Sequence, residues 1–279
     1  FIGLIVLTYI PLIAVFGVSF FKWGGTGAPE WNGINNYIKL FTTDPYFKES
    51  IKVTVYFSLL AVVGSMVYSL IVAMLLNRKI PARGFFRAVF YLPYVLPAAA
   101  VYIGWSWLYN TEWGLFNYIL SKLGIERLMF VSSSSQVVPS LALIAVWLSG
   151  NLIVIFLAGL QNVPRVYHEA AEIDGANAWQ RFWHVTFPSM TPIIFYNMLM
   201  SLITNMQVVT PALALTKGGP GKSSYFMSYM LYNYAFKQRG KIGLACAIAF
   251  VLFLLIGAFT LLLFATSKSW IFYEGGDDK

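Results

Sequence analysis

Six windows of this chain contain no Asp, Glu, Lys or Arg: residues 1–21, 53–76, 88–111, 128–164, 182–216 and 242–267. A bilayer core about 30 Å thick needs roughly 20 apolar residues in helical form to cross it, and every window reaches that length. In a soluble helical core each helix carries one charged face, whereas these windows are apolar all round. Within lipid a spanning segment must satisfy its own backbone polar groups, which an α-helix does. The chain therefore reads as an all-α integral membrane protein. A single transmembrane domain covers residues 1–279, with spans near 1–21, 53–76, 85–109, 137–160, 190–215 and 242–265.

Composition agrees. Charged residues are 11% of the chain, against roughly a quarter in soluble domains. The net charge of +8 is scattered over loops flanking the spans, which argues against nucleic-acid binding. The single cysteine, Cys246, excludes an internal disulfide. The first window is as long as a span and has no small-residue cleavage site, so it does not read as a signal peptide. Phe1 is not a start methionine, so residues are expected before it. Pro93 and Pro97 predict a kinked third span, and Pro164 stops the fourth. Trp105, Trp107 and Tyr109 suit an outer interfacial belt. Trp270, Phe272 and Tyr273 suit a second anchor after the last span.

One polar loop, 164–188, carries a spaced motif. Glu169-Ala-Ala is followed by three residues and Gly175, then by nine more and Val185-Thr-Phe-Pro188. The alanines leave a helix backbone open to close approach, Glu169 and Glu172 supply acceptors, and Gly175 permits the positive-φ turn that ends many helices. The pattern resembles the EAA loop of ABC importer membrane subunits, departing from it only in Val for Ile at 185 and Phe for Leu at 187. The resemblance implies that Val166–Asp174 forms a short cytoplasmic coupling helix seated in a groove of a partner ATPase. Glu169, Ala170, Ala171, Glu172, Asp174, Gly175 and Pro188 are then its coupling residues.

Two further stretches are similar to carbohydrate-type permeases of that family, typified by the maltose and glycerol-phosphate permeases. One is Trp31-Asn-Gly-Ile-Asn-Asn-Tyr37 with Leu40, Phe41, Asp44, Phe47 and Thr54. The other is Thr216-Lys-Gly-Gly-Pro-Gly221. The resemblance, which covers about residues 11–265, places Gly218, Gly219 and Pro220 in a loop facing a binding protein. It also matches Ser201 and Asn205 to sugar-contacting positions, while Thr204 and Val208 occupy such positions with different residue types.

Read from the residues alone, Ser201 and Asn205 lie one turn apart on one helical face, with Thr204 alongside. Ser149 and Asn151 follow Trp147 in span 4. Uncharged amides and hydroxyls beside aromatics suit a neutral sugar, and they serve equally as hydrogen-bonding glue between helices. No catalytic residue and no metal ligand set is legible. His168 and His184 stand far apart with no cysteine near. Gly221-Lys222-Ser223 occurs, but the glycine that a phosphate loop needs five residues earlier is Thr216, so ATP and magnesium are expected in the partner ATPase and no cofactor in this chain.

The resulting expectation is the transmembrane subunit of a binding-protein-dependent importer of a sugar or related polyol. Its partners would be a second, homologous permease, a dimer of ABC ATPases, an extracytoplasmic solute-binding protein and the bilayer. An amino-acid or peptide permease would favour charged pocket residues, which spans 4 and 5 lack. An ion-coupled secondary transporter would need intramembrane carboxylates and internal repeats. Placing the coupling loop inside puts both termini in the cytoplasm of a bacterial or archaeal cell. It leaves only eight of the 19 Lys and Arg inside, so total charge dissents from the positive-inside rule.

Overall fold

The computed structural model describes residues 2–238 and 240–272. Apart from one short antiparallel pair, β1 (Phe21–Lys22) and β2 (Glu30–Trp31), its regular structure is helical. The first helices are α1 (Ile2–Val18), α2 (Asn35–Thr42) and α3 (Phe47–Asn77). They are followed by α4 (Arg83–Val95), α5 (Ala98–Leu108), α6 (Leu115–Lys122), α7 (Val137–Trp147) and α8 (Gly150–Asn162). The last are α9 (Arg165–Ile173), α10 (Ala178–Arg181), α11 (Phe187–Met206), α12 (Met227–Tyr232) and α13 (Ile242–Ser267).

Among the described residues, α3 and α13 are each long and apolar enough to cross a membrane, and the count reaches four if two bent pairs are each one span. The bends differ from the sequence expectation. Span 3 breaks by 100° between α4 and α5, far more than a kink. Leu96 is extended there (φ −70°, ψ 144°), because the ring of Pro97 disfavours helical backbone in the residue before it. Span 4 bends by 50° between α7 and α8 with no proline at the break. Span 5 is helical to Met206 and then unwinds at 207–209 before a π-helical turn, Ala212–Thr216. α1 is apolar but shorter than a full span.

The chain divides into two compact units. One comprises residues 1–58, 99–141 and 204–258. Leu40, Phe47, Phe57, Tyr109, Leu141, Phe226 and Met227 are buried in it. Here the motif Trp31–Tyr37 acquires structural roles. The buried Asn36 donates to the carbonyls of Ser19 (2.8 Å) and Phe21 (2.9 Å), and the Tyr37 hydroxyl lies 2.6 Å from Ser19 Oγ. The buried Thr54 Oγ1 accepts from Met227 N at 2.9 Å. The aromatic belt expected at 105–109 is corrected. Trp107 is exposed, but Trp105 and Tyr109 are buried. Tyr109 donates to Ser140 O at 3.0 Å and stacks on Phe130 at 4.6 Å. Successive helical residues point in different directions, so one interfacial cluster cannot keep all three rings outside.

The other unit comprises residues 59–98, 142–203 and 259–279. Close backbone approach organises it. A Cβ on Gly64 would lie 2.7 Å from Val146, and one on Gly150 would lie 2.6 Å from the carbonyl oxygen of Phe90. Trp270 packs edge-on to Phe195 (5.9 Å between ring centres), and Phe272 N donates to Thr191 Oγ1 at 2.9 Å. Tyr273, the third member of the expected anchor, lies outside the described residues. Val63, Val67, Ile71 and Leu75 are exposed at four-residue intervals along α3, an apolar stripe suited to lipid or another helix.

Candidate functional site

The loop between α8 and α11 forms from local signals. Val163 is extended (φ −64°, ψ 121°) because a proline follows it, so α8 ends at Asn162. Pro164 then stands at the N-cap of α9, whose bounds Arg165–Ile173 fall one residue before the expected 166–174. At its far end Gly175 takes φ +78°. Gly175 N donates to Glu172 O at 3.0 Å and Ala176 N to Ala171 O at 2.9 Å. This is the Schellman closure, which satisfies the last carbonyls of the helix.

α9 is exposed along most of its length. Val166 (67% exposed), Ala170 and Ile173 (87%) lie on one face at i, i+4 and i+7. These residues leave an open apolar face on a short, otherwise polar helix. Glu169 is exposed beside it. Glu172 differs, because its carboxylate pairs with Arg181 of α10. The Glu172 side chain nonetheless stays 59% exposed, so both glutamates keep carboxylate oxygens at the surface, and Glu172 also ties α9 to α10. Asp174 lines a small cavity of about 290 Å³ with Ala171, Gly175, Arg181 and His184.

Beyond Gly175 the chain re-enters helix through a capping box. Asn177 Oδ1 accepts from the backbone N–H groups of Trp179 and Gln180, each at 3.0 Å, and Gln180 Oε1 accepts from Asn177 N at 2.9 Å. α10, a π-helical turn over Phe182–Thr186 and α11 follow without a gap. Residues 178–206 thus form one rod, about 40 Å long at 1.5 Å per residue. Pro188 lies inside this continuous helix, directly after the π-helical turn, and its missing N–H removes one helical hydrogen bond there.

The other sequence-predicted residues are distributed as follows. Ser201 and Asn205 are half-buried one turn apart near the end of α11, immediately before the chain unwinds, and Thr204 is exposed. Asn197 continues the same four-residue series and is buried, its amide donating to Ile193 O at 2.8 Å. Sequence reasoning passed over Asn197, although its spacing from Ser201 was there to read. Ser149 lies at the bend before α8 and is buried. Its Oγ is 2.6 Å from Val146 O and 3.0 Å from Ser69 Oγ, so this hydroxyl acts as helix glue. Asn151 is half-buried in the first turn of α8.

The turn 216–222 is built from backbone that side chains resist. Lys217, Gly218, Gly221 and Lys222 all have positive φ, and the Gly219–Pro220 peptide is cis. A Cβ on Gly218 would lie 2.6 Å from the Tyr225 ring. Ser224 Oγ lies 2.6 Å from Gly219 O and 2.7 Å from Thr216 Oγ1, which pins the turn from inside.

The chain is similar in sequence and fold to known transport proteins. The model of a family described as "Binding-protein-dependent transport system inner membrane component" matches residues 65–269. The probable ABC transporter permease protein YesP of Bacillus subtilis (strain 168) is 36% identical, over 99% of this chain and 90% of that protein. The multiple sugar-binding transport system permease protein MsmF of Streptococcus mutans serotype c (strain ATCC 700610 / UA159) is 36% identical, over 95% of this chain and 91% of its own length. The trehalose/maltose transport system permease protein MalF of Thermococcus litoralis (strain ATCC 51850 / DSM 5473 / JCM 8560 / NS-C) is 30% identical, over 92% and 87%. A bacterial ABC transporter involved in the import of the acidic polysaccharide alginate shares the fold, with a TM-score of 0.80 at 20% identity over 96% of this chain and 91% of that one.

Proposed function

Because this chain belongs to the binding-protein-dependent transport system inner membrane components, we propose that it is the sugar-conducting permease subunit of an ABC importer and that α9 is its cytoplasmic coupling helix. The observation that carries the reading is the exposed face Val166–Ala170–Ile173 with Glu169 beside it, joined to the rod 178–206 by the Schellman turn, the capping box and the Glu172–Arg181 pair. The names of the sugar permeases among its relatives support the substrate class.

In this reading the chain crosses the bilayer six times, both termini face the cytoplasm, and a second homologous permease completes the pathway. A dimer of ABC ATPases binds ATP and magnesium, and an extracytoplasmic binding protein delivers the sugar. The chain's own contribution is mechanical. When the ATPases close on ATP, each pulls on a coupling helix. Since α10, the π-turn and α11 are continuous, a displacement at α9 is passed along unbroken helix toward the far end of α11, with the π-turn and Pro192 as the points where that helix can bend. That end carries Ser201 and Asn205, a hydroxyl and an amide of the kind that bond the hydroxyls of a sugar. The excess of lysines outside is a feature of the outer surface that this orientation must explain.

The test is reconstitution of the complex in lipid. Its ATP hydrolysis is expected to rise when sugar-loaded binding protein is added. Stimulation by amino acids or peptides in place of sugars would overturn the substrate class. A second prediction concerns the pocket. Asn205→Ala is expected to weaken uptake by about tenfold, the order of one or two lost polar contacts, with assembly and basal ATP hydrolysis unchanged. Unaltered uptake across a panel of sugars would remove Asn205 from the site.

A further inference from the structure

A second cavity, of about 300 Å³, lies in the unit formed by residues 1–58, 99–141 and 204–258. Its walls come from residues 39–46 and from 222–241, all outside the spans. Three lysines line it, Lys39, Lys222 and Lys241, with Asp44 as the one carboxylate in its wall. That carboxylate is already engaged. One oxygen caps α3 by accepting from the backbone N–H groups of Tyr46 (3.0 Å) and Phe47 (3.1 Å), and the other accepts from the Tyr234 hydroxyl.

Two of the lysines, Lys222 and Lys241, lie over aromatic faces. Lys222 Nζ lies 4.3 Å from the ring centre of Tyr225 and 5.2 Å from that of Tyr46, and Lys241 Nζ lies 4.9 Å from that of Tyr234. Such contacts attract an ammonium group through the ring quadrupole without neutralising it. They also cover the ring faces that a neutral sugar would stack upon. None of the three lysines is within ion-pair distance of a carboxylate among the described residues. Burial pushes the Tyr225 hydroxyl up to about 12. Burial, followed by the bond to Asp44, raises that of Tyr234 as well. Both phenols therefore stay neutral at physiological pH, and three lysines stand against the single carboxylate of Asp44 in the cavity wall. A larger cavity of about 570 Å³ shares Lys39, Thr43 and Lys241 and adds Asn32 and Asn35, extending the polar surface.

We propose that this cavity is the docking point for acidic side chains of the solute-binding protein, with Lys39, Lys222 and Lys241 as the receiving cations. The proposal rests on the importer reading above, which places 39–46 and 222–241 on the outer face. It also gives a reason for lysines that defy the positive-inside count, because an outward positive patch steers an acidic partner. Lys222 directly follows the rigid turn 217–221, so the turn positions one of the three charges.

The test measures the affinity of the cognate binding protein for the complete transporter in lipid nanodiscs at low and high salt. Wild type is expected to bind markedly more weakly as salt rises, since salt screens exposed charge pairs. The triple variant Lys39→Ala/Lys222→Ala/Lys241→Ala is expected to bind about tenfold more weakly at low salt, with a flattened salt dependence. Its basal ATP hydrolysis should be unchanged, which reports intact assembly. The matching triple Lys→Arg variant should restore both affinity and salt dependence. Unchanged affinity in the alanine variant overturns the proposal. So does binding of free glucuronate to the complex without its binding protein, if the alanine variant abolishes it, because the cavity would then receive a sugar carboxylate. If the wild-type transporter does not respond to any binding protein, the importer reading fails instead.

Discussion

A transporter carrying Glu169→Lys is expected to assemble and hydrolyse ATP at its basal rate while importing substrate at a small fraction of the wild-type rate. Glu169 is exposed on α9 beside the open face of Val166, Ala170 and Ile173. A partner groove that covers this face desolvates the carboxylate and must supply it with a cation or hydrogen-bond donors. Truncating one member of such an interfacial charge pair costs about 2–5 kcal/mol, and reversal adds repulsion. At about 1.4 kcal/mol per tenfold, uptake should fall by roughly one to three orders of magnitude. Glu172→Lys serves as the comparison. Its carboxylate pairs with Arg181 within the loop, and such a surface pair contributes at most about 1 kcal/mol, so its loss should be milder. Measuring uptake and ATP hydrolysis on the same proteoliposomes decides the matter. Normal uptake by the Glu169 variant would remove the glutamate from the coupling contact.

The contrast between those two glutamates shows where the sequence was legible. Everything that shapes α9 is local. Pro164 sets its start, Gly175 its end, and the capping box at Asn177 restarts the chain within three residues. A motif spaced along twenty residues can therefore be read without knowing the fold. The Glu172–Arg181 pair needs the loop to double back, and the two residues are nine apart. The Ser69–Ser149 contact joins residues 80 apart, so composition offered no way to separate glue from substrate ligand at Ser149. The lysine cavity is assembled from two segments more than 170 residues apart in sequence, each with only scattered charges to show. The bends divide in the same way. The break at Leu96 was foreshadowed by prolines, whereas the bend before Gly150 falls at a Ser149-Gly150 pair, a weaker kink signal, where α8 also packs closely on α4.

That packing gives the other large expected effect. Gly150→Val is expected to prevent stable assembly of the transporter. A Cβ at this position would lie 2.6 Å from Phe90 O, 3.0 Å from Tyr91 Cα and 3.1 Å from Tyr91 O. All three are backbone atoms, so no side chain can swing aside to make room. α4 would have to move off α8, and overpacking of this kind costs typically about 1–3 kcal/mol, occasionally more. In a bilayer the loss is sharper, since helices there are held by close van der Waals contact and small residues permit it. Gly150→Ala should show a weaker form of the same defect. Gly104→Ala should be tolerated, because nothing lies within 4 Å of a Cβ there. Purified yield and thermal unfolding of the detergent-solubilised complex would report the order. A Gly150→Val transporter with wild-type melting behaviour would mean that α4 and α8 can separate freely, and that the bend does not depend on their contact.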